Sequence, residues 1–379
     1  MSKIHSSIAC NLDANMLLAS LPLFASEKVQ AIEWSFDTLY KHRHIPDWFV
    51  ELLQAYSAEN RLIGHGVYFS LFSGKWSPDQ QAWLDHLSRL STNFNFDHIT
   101  EHFGFMTGED FHRGAPLSLP FTTKTLLLGQ DRLKRMQEAC GCPVGLENLA
   151  FAYSLEEVEQ HGAFLEALVE PVNGFIILDL HNLYCQLHNF DVSFDDIIKR
   201  YPLDRVREIH ISGGSWEPSR QKPEKSIRRD THDDAVPEAV FELLEQSLML
   251  CPNLKYVVLE QLGIGLASED SKQQFQADFY RMERLVEAYN LSLAPQSAIS
   301  FLPVQAFESS SRPAVEDMQL YQEQQVLSRL LEDSTDLESF QAGLNNSILA
   351  HSDWRIETWA PEMLETAYQI AQKWKKGFA

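Results

Sequence analysis

The chain is short of positive charge. Its 379 residues hold 31 Lys+Arg against 53 Asp+Glu, a formal net charge of -22. A field of that sign repels phosphate backbones, so no nucleic-acid partner is expected. Long apolar runs are also missing. None is long enough to span a bilayer, and no membrane partner is expected. The N-terminus, MSKIHSSIACNLDANMLLASLPLF, has a Lys and apolar residues, but Asn11, Asp13 and Asn15 interrupt it where a signal peptide needs its apolar core. Cysteine is scarce: five residues without a paired spacing fit a reducing, cytoplasmic location. Cys140 and Cys142, one residue apart, read as incidental thiols. What is present is an ordinary globular composition, 44% hydrophobic and 22% charged.

Strand-length apolar runs recur between helical stretches. They are SSIACNL (6–12), AIEWSF (31–36), RLIGHGVYF (61–69), HITEHFGF (98–105), PVGLENL (143–149), GFIILDLHN (174–182), VREIHISGG (206–214) and YVVLEQLG (256–263). Amphipathic segments lie between them, among them Leu126–Ala139, Leu155–Val169 and Pro237–Leu250. Strand alternating with helix argues for parallel βαβ units, and eight strands close a (β/α)8 barrel of the TIM type. After about Pro303 the character changes. AFESSSRPAVED is a polar connector, residues 320–334 and 362–376 carry helical patterns, and Thr335 with Glu338 resembles a capping box. The expected organisation is α/β: a metal-binding catalytic barrel over residues 1–303 and a helical C-terminal extension over 304–379. Trp354 and Trp359 need packing partners, which a helical clasp across the barrel would supply. A lid or a platform for a partner is the other use of such a tail.

The conspicuous polar residues share one position. His65, His102, Glu147, Asn148, Asp179, His181, Asn182, His210 and Glu260 each stand at or just beyond the C-terminal end of an apolar run. In a (β/α)8 barrel those ends assemble the active site. Asp230 and His232 lie in the 216–235 segment, too long for a plain βα connection and therefore expected to be functional or disordered. Any one of these residues alone has a plain structural use, as a satisfied histidine or a helix cap. Together they would bury carboxylates at great cost unless divalent cations balance them. Oxygen and nitrogen ligands suit iron(II), manganese or zinc, and eight or nine ligands call for two or three ions. Glu147 is the natural bridge between them, and Asn148 and Asn182 are candidates to orient the ligands. Tyr184, Cys185 and His188 are expected to pack or to sit in a loop.

Five stretches occur in order: VGLENLAF, LDLHNLY, REIHISGG, DTHDDAVP and VVLEQ. Over roughly residues 6–265 they resemble the DUF692 family, the multinuclear non-heme iron-dependent oxidative enzymes, whose members include methanobactin-biosynthesis enzymes. The resemblance implies a TIM-type barrel holding two or three iron ions. It implies the ligands His65, His102, Glu147, Asp179, His210, Asp230, His232 and Glu260, with His181 in a variable position. Glu147, Asp179 and His210 would stand at the catalytic centre. It also implies a ribosomally made peptide substrate carrying a cysteine, a small partner protein that recognises the precursor, and oxidation at the cysteine by dioxygen. Two stretches depart from the family. The first strand reads Ala9-Cys10-Asn11-Leu12-Asp13 and the second Glu33-Trp34-Ser35, and both changes are expected on the substrate side of the pocket.

Two other functions fit the residues. A metal-dependent hydrolase or isomerase on the same barrel, like sugar isomerases and endonuclease IV, uses similar ligands. A non-catalytic metal-binding or scaffold protein is the second. The basic stretch Arg220, Lys222, Lys225, Arg228 and Arg229 would either receive an acidic leader peptide or form a solvated loop.

Overall fold

The computed structural model describes residues 3–39, 45–107, 116–292, 299–304 and 311–375. Eight parallel strands close a barrel: β1 (His5–Ala9), β2 (Ala31–Trp34), β3 (Leu62–Gly66), β4 (Phe96–His102), β5 (Val144–Glu147), β6 (Phe175–Asp179), β7 (Val206–Ile211) and β8 (Tyr256–Leu259). Each neighbours the next in sequence, and β8 pairs with β1. All eight expected strands are present. The polar residues that follow several of them lie outside the ladder. After β6, for example, the Asp179 side chain accepts from Asn182 N at 2.5 Å and starts a helix, Leu180–Phe190. His181, Asn182, Cys185 and His188 are therefore helical rather than strand or loop residues.

The barrel interior is part apolar and part polar. Ala9, Ala31, Ile63, Tyr256 and Val258 form one small inner cluster. Beside it lies a buried ionic group. His98 Nε2 is 2.6 Å from Glu208 Oε2, and His98 Nδ1 is 2.8 Å from Asp97, which also pairs with Arg207 and Lys255. Strand register then sets the layer above. His102 on β4 pairs with Glu147 on β5, and Asp179 on β6 pairs with His210 on β7.

The 216–235 segment is partly ordered as a ribbon, Trp216–Pro218 antiparallel to Ser226–Arg228. The C-terminal helices are Met318–Asp333, Leu337–Asn345 and Pro361–Lys375. The capping box lies one residue later than Thr335 and Glu338: Asp336 accepts from Ser339 N, and the Ser339 hydroxyl accepts from Asp336 N. These helices hold the loops after β3 and β5. Gln324 accepts from Gly74 N at 2.9 Å and donates to Phe72 O at 2.8 Å. Trp359 stacks on Tyr153 with centroids 3.8 Å apart, and Trp354 donates to Glu323 at 3.1 Å. The two tryptophans thus pack against the loop that follows Glu147. One hydrophobic cluster runs from the barrel helices through Leu320, Trp354 and Met363. No helix among the described residues is long and apolar enough to cross a membrane.

Candidate metal centre

The strand-end residues meet. His65, His102 and Glu147 offer ligand atoms close enough to hold one ion, and Glu147, Asp179, His210 and Glu260 offer a second set. Glu147 belongs to both. Its Oε2 is 3.0 Å from His102 Nε2 and 3.3 Å from His65 Nε2, and its Oε1 is 3.7 Å from His210 Nδ1. His210 Nδ1 is 3.3 Å from Glu260 Oε2. A third group adjoins: Asp230 Oδ1 is 2.8 Å from His232 Nε2, and His232 Nδ1 is 3.6 Å from Glu260 Oε2.

Hydrogen bonds orient the rings. The Thr100 hydroxyl donates to Gly64 O at 3.3 Å, so its oxygen accepts from His65 Nδ1 at 2.8 Å. That leaves His65 Nε2 as a lone pair, 3.2 Å from His102 Nε2. His210 Nε2 lies 3.1 Å from Glu33 Oε2 and 3.5 Å from Glu208 Oε1, so Nε2 donates there and Nδ1 is turned toward Glu147 and Glu260. A carboxylate behind an imidazole is the usual support of a histidine ligand. Glu33 therefore lies beneath the cluster, not on the substrate side where the sequence placed it. Asn11 and Ser35, from the same two stretches, do line the cavity.

His181 stands apart from the two ligand sets. Its Nε2 accepts from Arg228 Nε at 3.0 Å, and its Nδ1 donates to Asp230 at 3.1 Å. Burial lowers its pKa against the pull of Asp230, so it is neutral, as an acceptor from arginine must be. Gly214 makes room for the ring; a Cβ there would come within 2.8 Å of His181 Cε1. Asn182 Nδ2 donates to Glu147 Oε1 at 3.2 Å and to Asn148 O at 2.8 Å. Asn148 in turn clamps Asp179, accepting from its N–H at 2.7 Å and donating to its carbonyl at 3.0 Å. His232 has φ +51, a left-handed conformation that costs a non-glycine residue about 1–3 kcal/mol.

Charge makes the same point as geometry. Burial raises the Asp179 pKa, and Glu147, Asp230 and Glu260 push it further up. Burial acts the same way on Glu147, but the charge of His102 beside it outweighs burial and holds the carboxyl ionised. Burial would lower the His102 pKa, yet Glu147 raises it to about 9. Glu147 Oε2, Asp179 Oδ2 and His210 Nδ1 are buried without a hydrogen-bond partner among the described residues. Donor atoms that converge without bonding one another fit cations at their common points. The described residues thus fit a metal.

The open side of this cluster faces a cavity of about 330 Å³. His65, His102, Asp230, His232 and Glu260 reach it from the barrel, and Met363, Thr366, Ile370 and Lys373 wall it from the last helix.

A sequence profile of the family described as the RiPP precursor modification enzyme MbnB/TglH/ChrH matches residues 40–261, more than half of the chain. RiPPs are ribosomally made, post-translationally modified peptides. The chain belongs to this family. Every ligand candidate of the MbnB/TglH/ChrH-type site lies inside the matched span, and the C-terminal helices lie outside it. The chain is 24% identical over 256 residues to a UPF0276 protein of Rhizobium meliloti, covering 61% of this chain and 81% of that one. It is 29% identical over 203 residues to a UPF0276 protein of Acaryochloris marina, covering 52% and 68%. Among solved structures, a zinc-binding IolI protein matches with TM-score 0.48 and 12% identity over 75% of this chain and 99% of that one. An L-ribulose 3-epimerase matches with TM-score 0.44 and 14% identity over 76% and 95%.

Proposed function

We propose that this protein is a multinuclear non-heme iron enzyme that uses dioxygen to modify a cysteine-containing, ribosomally made peptide. The observation that carries the proposal is Glu147, a carboxylate shared by two ligand sets that open on one cavity. One ion would be held by His65, His102 and Glu147, a second by Glu147, Asp179, His210 and Glu260. Asp230 and His232 would hold a third, with His181 orienting Asp230. Iron bound there supplies redox chemistry toward dioxygen and a Lewis-acid seat for a thiolate.

The chain's own residues do the rest. Thr100 and Glu33 keep His65 Nε2 and His210 Nδ1 turned toward the carboxylates. Asn182 and Asn148 fix Glu147 and Asp179 in place, so the ligands need not reorganise when they fill. The apolar faces of Leu149, Phe151, Met106 and Met363 keep bulk water from the reacting group. The barrel would serve as the catalytic unit (1–303), in the cytoplasm, with or without a small precursor-binding partner.

Anaerobically purified protein should contain two or three iron ions per chain. It should consume oxygen only with a cysteine peptide, such as one encoded beside its gene. Zinc in place of iron, with no oxygen uptake, would overturn this reading in favour of hydrolysis or isomerisation.

A further inference from the structure

The basic stretch of the sequence is not a free cationic face. Lys225 pairs with Asp191 at 2.5 Å, Lys222 with Glu362 at 3.4 Å, and Arg229 with Glu217. Arg228 is different. It is only 4% exposed, yet among the described residues no carboxylate forms an ion pair with it. Its Nε is committed to His181 at 3.0 Å, and its guanidinium lies over Trp216 at 4.9 Å and over Tyr184 at 5.7 Å. Its backbone N–H is fixed by Asn189 Oδ1 at 2.9 Å, and Asn189 also donates to its carbonyl at 3.0 Å. So the side chain is aimed, and it lines the same cavity as the ligand cluster.

A nearly buried guanidinium without an anion beside it is costly. Nε and the aromatic rings take up one edge and the face. The remaining edge, the two terminal amino groups, has the spacing of a carboxylate. Lys373, on the last helix, brings a second cation to the cavity and has no ion-pair partner among the described residues. Leu149, Phe151, Met363 and Ile370 leave the space between them apolar.

We propose that Arg228 is an anion-recognition residue that receives a carboxylate of the substrate, one or two residues from the group that reaches the metals, with Lys373 supporting it from the C-terminal helix. The proposal rests on a peptide substrate, as above, but not on its oxidation. The hydrogen-bond path from guanidinium to His181 to Asp230 places the anion close to the third ligand group. It also makes the extension outside the matched family span a wall of the substrate site. The carboxylate has two sources in a peptide: a free C-terminus or an acidic side chain.

The test is binding by calorimetry, without oxygen, on the full chain as purified. The probes are N-acetyl-Cys-Leu acid, N-acetyl-Cys-Leu amide and N-acetyl-Asp-Cys-Leu amide. One of the two carboxylate peptides should bind at least tenfold tighter than the plain amide, and which one does so names the source. Arg228→Gln should erase that advantage, read as the ratio of carboxylate-peptide to plain-amide affinity on the same variant. Lys373→Gln, on an exposed part of the last helix, should reduce the advantage partly. Equal affinity of all three probes for the unaltered protein would overturn the proposal, whatever the variants do. So would an advantage that survives Arg228→Gln. Turnover plays no part, so an inactive but carboxylate-selective protein would sink the oxidative reading and leave this one standing.

Discussion

Glu147 Oε2 lies 3.0 Å from His102 Nε2 and 3.3 Å from His65 Nε2. His102 and Glu147 come from directly opposed positions of β4 and β5. Two ligand atoms this close, aimed at a common point, prefer a cation between them to each other. His102 serves one ligand set and Glu147 serves two. His102→Ala should therefore lower metal per chain by about one ion, and Glu147→Ala by more than one. Elemental analysis of anaerobically purified variants checks this. Equal losses in the two variants would show that Glu147 does not bridge.

Glu208 makes a different prediction, about stability. It is fully buried, 2.6 Å from His98 and 3.5 Å from His210. Burial favours its neutral form, but His98 and His210 outweigh it and bring the pKa down to about 2. Glu208→Ala would strand His98 between apolar walls with only Asp97 to balance it. Removing one partner of a buried pair costs about 3–5 kcal/mol. Chemical denaturation should show a loss of that order, and Glu208→Gln, which keeps the volume and an acceptor, a smaller one. A loss below 1 kcal/mol would mean that water reaches the group.

Much of this centre was legible because strand ends repeat. An apolar run that closes on His or a carboxylate, six times over, marks one mouth, and the barrel register then brings the endings together. Glu33, Glu208 and His98 were not legible. They sit within the strands at inward positions, where alternation alone cannot tell a buried ion from an exposed one. Only closure of the barrel, which sets β2 and β4 facing β7, shows that Glu33 meets His210 and that His98 meets Glu208. The role of His181 was hidden for a related reason. Asp179 caps a helix in place of extending a strand, and the turn sends the next imidazole toward Asp230 and Arg228. The cavity wall from the last helix depends on tertiary docking, which no local pattern encodes.

Glu157 should give the protein a pH dependence. Burial raises its carboxyl to about 7 from an ordinary 4.5, against the opposing hydrogen bonds from Tyr153 N and Ser118. A raised folded value means that the protonated form is the one the fold favours. That stability is fully present below pH 4.5 and is lost as pH rises through 7. Glu157→Gln removes the loss. The variant should match the parent near pH 4.5 and exceed it at pH 8, by about 1–2 kcal/mol because the half-buried side chain still meets solvent. Denaturation midpoints across that range check it. A gap that does not grow with pH would show that the carboxyl ionises normally.

Glu365 ties the last helix to the ribbon that carries Arg228. The carboxylate is almost fully buried and accepts from Ser219 Oγ at 2.7 Å, Arg220 N at 2.9 Å and Gln221 N at 3.2 Å. Those N–H groups belong to the loop between the two ribbon strands, which has no ladder of its own to satisfy them. Glu365→Ala leaves Arg220 N without that acceptor and Gln221 N with only Ser219 Oγ at 3.1 Å, at a cost of about 1–3 kcal/mol for a buried donor. The loop should then open locally before the barrel unfolds. Limited trypsin digestion should cut after Arg220 at least several-fold faster in Glu365→Ala, with Glu365→Gln between it and the parent because one acceptor oxygen remains. The barrel's melting midpoint should move far less than the cleavage rate, since the β1–β8 ladder is untouched. An unchanged cleavage rate would mean that the ribbon is held by its own strand pairing, and the last helix would then be a wall without a latch.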